Sequence, residues 1–415
     1  MNKKERVLIV HLNQDDSQIV LDNKIKEIEE LVRSSRAESV GVVIQNAQSI
    51  NPSFFIGRGK AEEIAELVDS MDIDTLVVNH ELTGSQMKNL EEMIDRKIVD
   101  RTGLILDIFA RRAKTKEGKL EVSLAQLEYR LPRLVGFRNY LSREGGGIGT
   151  RGPGEQKLEV DRRRIQDNIS RIKRQLEVVA GKRSLKRKRR QHSSLPIVSL
   201  VGYSNAGKST ILNALVERYG NDIKQVYSDD LLFATLDVSA RQIKLPNSKD
   251  IIITDTVGFI SDLPTKLVAS FRSTLEEIEI SDLILVVIDA SVEDYQMQID
   301  ATIDVLKDMH LSDKKIMYIF NKMDLNPDFR NNTNEPNHFY MSAKNSSDIE
   351  RLAEEISNVL FSDYRFYDIF VSYEELDSFM KKNLPIQSEE YKEEGLYAKL
   401  YIDRHDKKKY EEYMT

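Results

Sequence analysis

Apolar residues in the first hundred positions come in short runs separated by helix-spaced segments. Val7 to Leu12, Val40 to Ile44 and Thr75 to Val78 read as buried strands. Residues 21–34, 60–69 and 84–95 place apolar side chains three and four apart and read as the helices between them. Strands alternating with helices predict a parallel sheet with crossover connections. The alternation returns after residue 195 and continues to about 361, which predicts a second α/β domain. Beyond it, Ile369 to Tyr373 and Leu396 to Ile402 are strand-like, and each is followed by a helical pattern.

The middle of the chain has a different period. Leu120, Leu124, Leu127, Leu131 and Leu134 are spaced 4-3-4-3, and so are Ile165, Ile169, Ile172, Leu176 and Val179, with Leu158 one heptad earlier. Two such stripes joined by a short loop predict an antiparallel helical hairpin. Pro132 is expected to end or kink the first helix near Leu131. The loop from Gly145 to Gly154 is Gly-rich and sits at the hairpin tip. It is either a loose connection or a probe for a narrow site. Lys182 to Arg190 is basic without apolar periodicity and reads as a linker.

These patterns give an α/β chain in five parts. They are an N-terminal α/β domain over 1–112, a basic hairpin over 113–182 and a basic linker over 183–195. A second α/β domain over 196–362 follows, with helices on both faces of a parallel sheet and carrying the P-loop motif described below, and then a small α+β domain over 363–415.

Charge sharpens the picture. The chain of 415 residues has a formal net charge of −7. Residues 111–192, however, hold 24 Lys and Arg against 9 Asp and Glu, so this block is near +15 and the remainder near −22. Clustered cations gain by releasing counterions from a phosphate backbone, so the block favours RNA or DNA contact over a merely solvated face. The absence of cysteine excludes disulfides, thiolate metal sites and a thiol nucleophile. No signal peptide or membrane span is read, so a cytoplasmic protein is expected. The Phe54 to Lys60 stretch is a Gly-punctuated turn opening a helix. It admits an anion at the helix N-terminus, though a plain turn is the simpler reading.

The clearest chemistry begins at Gly202-Tyr203-Ser204-Asn205-Ala206-Gly207-Lys208-Ser209, followed by Thr210. It lies between a strand-like run, Ile197 to Val201, and a helix pattern, Ile211 to Leu215. Glycines let backbone N–H groups wrap phosphates, and the helix N-terminus adds positive potential. Lys208 is expected to reach the β- and γ-phosphates and the Ser209 hydroxyl to bind Mg2+. Further on, a buried run ends in Asp255-Thr256-Val257-Gly258. Asp255 can hold Mg2+ through water, and Gly258 can offer its N–H to the γ-phosphate. Between the two motifs lies Phe233-Ala234-Thr235-Leu236-Asp237, where Thr235 is the candidate second hydroxyl ligand of Mg2+. The metal set is therefore Ser209, Thr235 and Asp255, and the catalytic set Lys208, Thr235 and Gly258.

Base identity follows from Asn321-Lys322-Met323-Asp324 after a strand. The Asp324 carboxylate can accept from guanine N1–H and the exocyclic amine, a donor pair adenine lacks. The Lys322 stem can cover the base, and backbone N–H groups of Ser342-Ala343-Lys344 can meet guanine O6. Each motif ends a strand, where ligands bind open α/β sheets. GTP is the expected nucleotide.

These motifs resemble the translational GTPases, and more closely the HflX family of ribosome-associated GTPases. The likeness rests on Asp100 to Phe109, on Gly145 to Glu155, on Phe233 to Asp237 and on Asp255 to Ile260. It covers residues 1 to about 361. After the tip loop the family usually reads Gly-Glu-Thr-Gln-Leu-Glu, and Gly154-Glu155-Gln156-Lys157-Leu158-Glu159 departs at two positions. The resemblance implies binding to the large ribosomal subunit, with the hairpin directed at rRNA near the peptidyl transferase centre. It also implies splitting or rescue of stalled ribosomes under stress. The alternative is a GTP-switched adaptor whose hairpin binds another RNA or an anionic surface. The hairpin lacks a broad aromatic-rich apolar face, which disfavours a membrane. A monomer is expected.

Two mechanistic expectations remain. Phe259 stands where signalling GTPases carry a water-orienting glutamine, so intrinsic hydrolysis should be slow. Asn205 is either structural or, as in some P-loop GTPases, a holder of K+ that acts like an arginine finger.

Overall fold

A computed structural model describes residues 4–136, 153–191, 195–220, 239–256, 258–259, 278–311, 313–331, 337–380, 386–404, 407 and 410–414. Three sheets organise the chain. In the N-terminal domain β1 (Arg6–Asn13), β2 (Glu38–Asn46), β3 (Thr75–Val78) and β4 (Lys97–Asp100) form a sheet in the order β2-β1-β3-β4. Every pairing in it is parallel. Successive β1 side chains serve opposite faces. Val7 and Ile9 join one buried cluster with Ile28, Leu31 and Phe109. Leu8, Val10 and Leu12 join the other with Ile64 and Leu90. A strand buried on both sides reads as a continuous apolar run, which is the pattern seen in the sequence.

Helix starts are fixed by local chemistry. Thr83 and Gln86 form a capping box at the helix Gly84–Ile94. Asp100 caps the helix Arg101–Arg112 by accepting from the Gly103 N–H at 2.8 Å.

The hairpin is formed by the helices Lys116–Gly136 and Pro153–Gln191. Glu128 pairs with Lys173 at 2.8 Å, while Arg130 to Leu134 face Asp161 to Ile165 across a cleft, so the helices run antiparallel. Leu124 and Ile172 are buried in the seam. Two expectations are corrected here. The first helix does not end at Leu131 but continues through Pro132 to Gly136. Its neighbour Arg133 is anchored to the N-terminal domain, donating to Leu82 O at 3.0 Å and Asp100 Oδ2 at 2.7 Å, and this packing holds the turn that proline weakens. The basic stretch read as a linker is the end of the second helix, which runs to Gln191. Lys and Arg are good helix formers, so a helix needs no apolar period there.

The second α/β domain has six strands in the order β10-β9-β8-β5-β7-β6. They are β5 (Ile197–Gly202), β6 (Ser239–Lys244), β7 (Asp250–Asp255), β8 (Leu283–Asp289), β9 (Ile316–Asn321) and β10 (His338–Tyr340). All pairings are parallel except β6 with β7. The C-terminal part is an antiparallel sheet, β11 (Tyr364–Ser372), β13 (Gly395–Asp403) and β12 (Ile386–Lys392) in that spatial order. The helical patterns expected there are short, Leu376–Met380 and a 3-10 turn at Glu411–Tyr413.

Candidate active site

The C-terminal ends of β5, β7, β8, β9 and β10 converge on one edge of the sheet. β5 ends at Gly202 and runs into Tyr203 to Gly207, then the helix Lys208–Tyr219 with Ser209 and Thr210 in its first turn. Two residues of this loop have left-handed backbone, Asn205 at φ 64° and Gly207 at φ 99°. A Cβ on Gly207 would lie 2.2 Å from Asn321 Nδ2, so only glycine fits there. That packing lets Asn321 reach the loop. Its Nδ2 donates to Ala206 O at 2.9 Å, and its Oδ1 accepts from Ala343 N–H at 2.9 Å. One buried amide thus joins the phosphate loop to the base-recognition segments.

Lys208 is 6% exposed and donates to the carbonyls of Gly202 at 3.0 Å and Tyr203 at 2.7 Å. Burial pushes its ammonium down to about 8, with Asp255 opposing. A cation held by loop carbonyls is suited to swing to phosphate oxygens. The Ser209 hydroxyl donates to Asp255 Oδ2 at 2.6 Å, and Asp255 is fully buried. Two hard oxygen donors therefore meet beside the loop. No cluster of three or more His, Cys, Asp or Glu able to hold a metal occurs among the described residues. That donor set fits Mg2+, which takes one or two protein oxygens and completes its shell with phosphates and water.

After Asp255, Thr256 donates to Leu200 O at 2.8 Å. Gly258 and Phe259 lie alongside the phosphate loop, with Ser204 N–H donating to Phe259 O and Phe259 N–H to Gly202 O at 3.0 Å. The Phe259 ring is 3% exposed and packs with Val201, Ile284 and Val286. It therefore fills the core beneath the loop.

On the base side, Asp324 accepts from the Ser342 hydroxyl at 2.7 Å and lies 3.4 Å from Lys344 Nζ. The Ser342 bond, with smaller help from Lys344, holds the carboxyl below its ordinary value. Met323 N–H donates to Met341 O at 3.2 Å, fixing the segment against the strand end. Lys322, at φ 66°, reaches Asp289 Oδ2 at 2.6 Å.

The structure thus brings together Gly202 to Thr210, Asp255, Thr256, Gly258, Asn321 to Asp324 and Ser342 to Lys344. Phe233, Ala234, Thr235, Leu236, Asp237 and Val257 lie outside the described residues. Sequence reasoning missed Asp289. It also accepts from Ser291 and so fixes Lys322, and its position as the polar end of an apolar run was the available signal. Glu27, which accepts from the Tyr203 phenol, gave no local signal.

The chain is similar to known proteins along most of its length. Three family models match, described as the N-terminal part of a GTP-binding GTPase over 22–110, its middle region over 112–190 and a 50S ribosome-binding GTPase over 197–322. A GTPase HflX from Caldanaerobacter subterraneus subsp. tengcongensis is 44% identical over 401 residues, spanning 96% of this chain and 91% of its own. The GTPase HflX of Escherichia coli K12 is 40% identical over 361 residues, 86% of this chain and 83% of its own. A crystal structure of a GTP-binding protein from Sulfolobus solfataricus with GDP covers 86% of this chain and all of that one, at 21% identity and a TM-score of 0.45. With sequence identity of this level along nearly its whole length, and Gly202 to Ser209, Asp255, Asn321 to Asp324 and Ser342 to Lys344 gathered at one sheet edge, the chain belongs to the HflX family of GTPases, enzymes that bind and hydrolyse GTP.

Proposed function

We propose that this GTPase works on the large ribosomal subunit, contacting rRNA near the peptidyl transferase centre through its hairpin and splitting or rescuing stalled ribosomes under stress. The observation that carries the reading is the second hairpin helix. It keeps Arg162, Arg163, Arg171 and Arg174 exposed while burying only a narrow seam, as a polyanion-facing rod should. The 50S ribosome-binding description of the matched GTPase model points the same way. No helix among the described residues is long and apolar enough to cross a membrane. The same reading includes an N-terminal domain over 1–112, a hairpin whose second helix extends to Gln191, a GTPase domain over 196–362 and a small domain over 363–415, together with a monomer and a cytoplasmic location.

Within the site, Lys208 binds the β- and γ-phosphates, Gly258 offers its N–H to the γ-phosphate, and Ser209, Thr235 and Asp255 hold Mg2+. When bound, Mg2+ neutralises charge developing between the phosphates. Asn205 is the residue that would hold K+.

Co-sedimentation tests the partner. The chain with a non-hydrolysable GTP analogue should pellet with large subunits and lose that binding in GDP. Equal binding to any RNA of the same length would favour the adaptor reading.

A further inference from the structure

Tyr203 is the second residue of the phosphate loop, and its side chain leaves the GTPase domain. It is 8% exposed, and its phenol donates to Glu27 Oε1 at 2.6 Å. Glu27 lies on the N-terminal domain helix Gln18–Ser34 and is itself buried. The same oxygen lies 3.1 Å from Arg101 Nη2. Arg101 also donates to Asn79 Oδ1 at 2.8 Å, just beyond β3. A loop that must cradle phosphates is therefore moored, through one carboxylate, to the C-terminal edge of a different sheet.

The packing around the mooring is continuous. Tyr203 and Ala206 belong to the same buried cluster as Ile28, Leu31 and Val32 of that helix. One turn beyond Glu27, Glu30 is half-buried near the base motif. Burial raises its carboxyl, while Arg33 and Lys322 pull the other way. The helix thus runs beside both the phosphate loop and the base-recognition segment.

A buried carboxylate is costly unless paired, and Arg101 supplies the pairing. Held in that way, Glu27 fixes the Tyr203 ring by a charge-assisted hydrogen bond. The Tyr203 carbonyl is one of the two that hold Lys208, so the side-chain mooring also sets where that ammonium rests. Loops bind tightly when their bound shape is formed in advance.

We propose that Glu27 is a positioning residue of the GTP site, lent by the N-terminal domain, and that it acts through the Tyr203 hydroxyl to hold the phosphate loop in its nucleotide-binding shape. Because it acts on the loop and not on the γ-phosphate, it tightens GTP and GDP alike.

The test uses the full chain and fluorescent GTP and GDP analogues. Tyr203→Phe keeps the ring and leaves the Glu27–Arg101 pair in place. Losing one charge-assisted hydrogen bond should weaken both nucleotides by about 5- to 20-fold, mostly through faster release. KM should rise by the same factor, with the rate recovered at saturating GTP. Glu27→Gln should weaken binding similarly, and the double variant should be no weaker than the worse single. Thermal melts of the ligand-free variants separate this from general instability, since Tyr203→Phe should melt close to wild type. Nucleotide affinities of Tyr203→Phe within twofold of wild type would overturn the proposal. So would losses in the two single variants that multiply in the double.

Discussion

Asn321 Nδ2 donates to the Ala206 carbonyl across 2.9 Å, and this contact ties the Tyr203–Gly207 loop to the Asn321–Asp324 segment. The other end of the amide receives the Ala343 N–H. Asn321→Ala would leave the buried Ala206 carbonyl unsatisfied, at a cost of about 1–3 kcal/mol, and would also remove the partner of the part-buried Ala343 N–H. Denaturant melts should show that loss, and GTP affinity should fall at least about tenfold. A variant with native stability and unchanged affinity would contradict the assignment.

In the proposed site, guanine selection is assigned to Asp324. Asp324→Asn puts an amide donor where the guanine N1–H and amine need an acceptor. GTP affinity should drop by about 100-fold or more, while xanthosine triphosphate, whose C2 oxygen accepts, should bind better than to wild type. Competition binding with the two nucleotides checks this, and retained GTP preference would place the base elsewhere.

Lys208 gives the ligand-free protein a specific pH dependence. Burial holds its ammonium at about 8 against the ordinary 10.5. Between those values the unfolded chain carries a proton that the folded chain lacks, so stability rises as pH climbs through this window. Below it the burial penalty is fully present. From pH 7.5 to 9.5 the gain should be about 2 kcal/mol. Lys208→Met should abolish it, and urea titrations of both proteins at the two pH values read it directly. Above pH 10 Tyr129 opposes the trend, because burial and Asp100 keep its phenol protonated in the folded state.

Phosphate binding should reverse that shift. An anion beside Lys208 favours the charged form, so GDP binding at pH 8.5 should take up a substantial fraction of a proton. Calorimetry in buffers of different ionisation enthalpy measures it, and no buffer dependence would argue against Lys208 meeting phosphate.

Gly258 faces the loop without room for a side chain. A Cβ there would lie 2.7 Å from Ser204 Cα and 3.1 Å from Lys208 Nζ. Gly258→Ala should therefore push the loop apart and abolish most turnover while leaving the fold intact. A rate near wild type would exclude Gly258 from the phosphate shell.

Most of this site was legible because its motifs sit at the ends of central strands, where apolar runs are unbroken. Of the strands the sequence reading did not name, β4, β6 and β12 lie at sheet edges, and β8 is central. An edge strand is paired on one side and carries polar residues, as Ile386–Lys392 does with two glutamates and a lysine, so its period is blurred. Pro132 misled because intrinsic preference yields to packing, here through Arg133 and Asp100. Glu27 was invisible for another reason. It meets Tyr203 across 176 residues of sequence, and no local pattern encodes a contact between domains.

The most direct test of the whole account is GTP hydrolysis by the wild-type chain and by Lys208→Ala, each alone, with large subunits and with small subunits. The expected result is a slow rate alone, a marked rise with large subunits only, and loss of both rates in Lys208→Ala. A rate indifferent to large subunits, or activity surviving in Lys208→Ala, would contradict it.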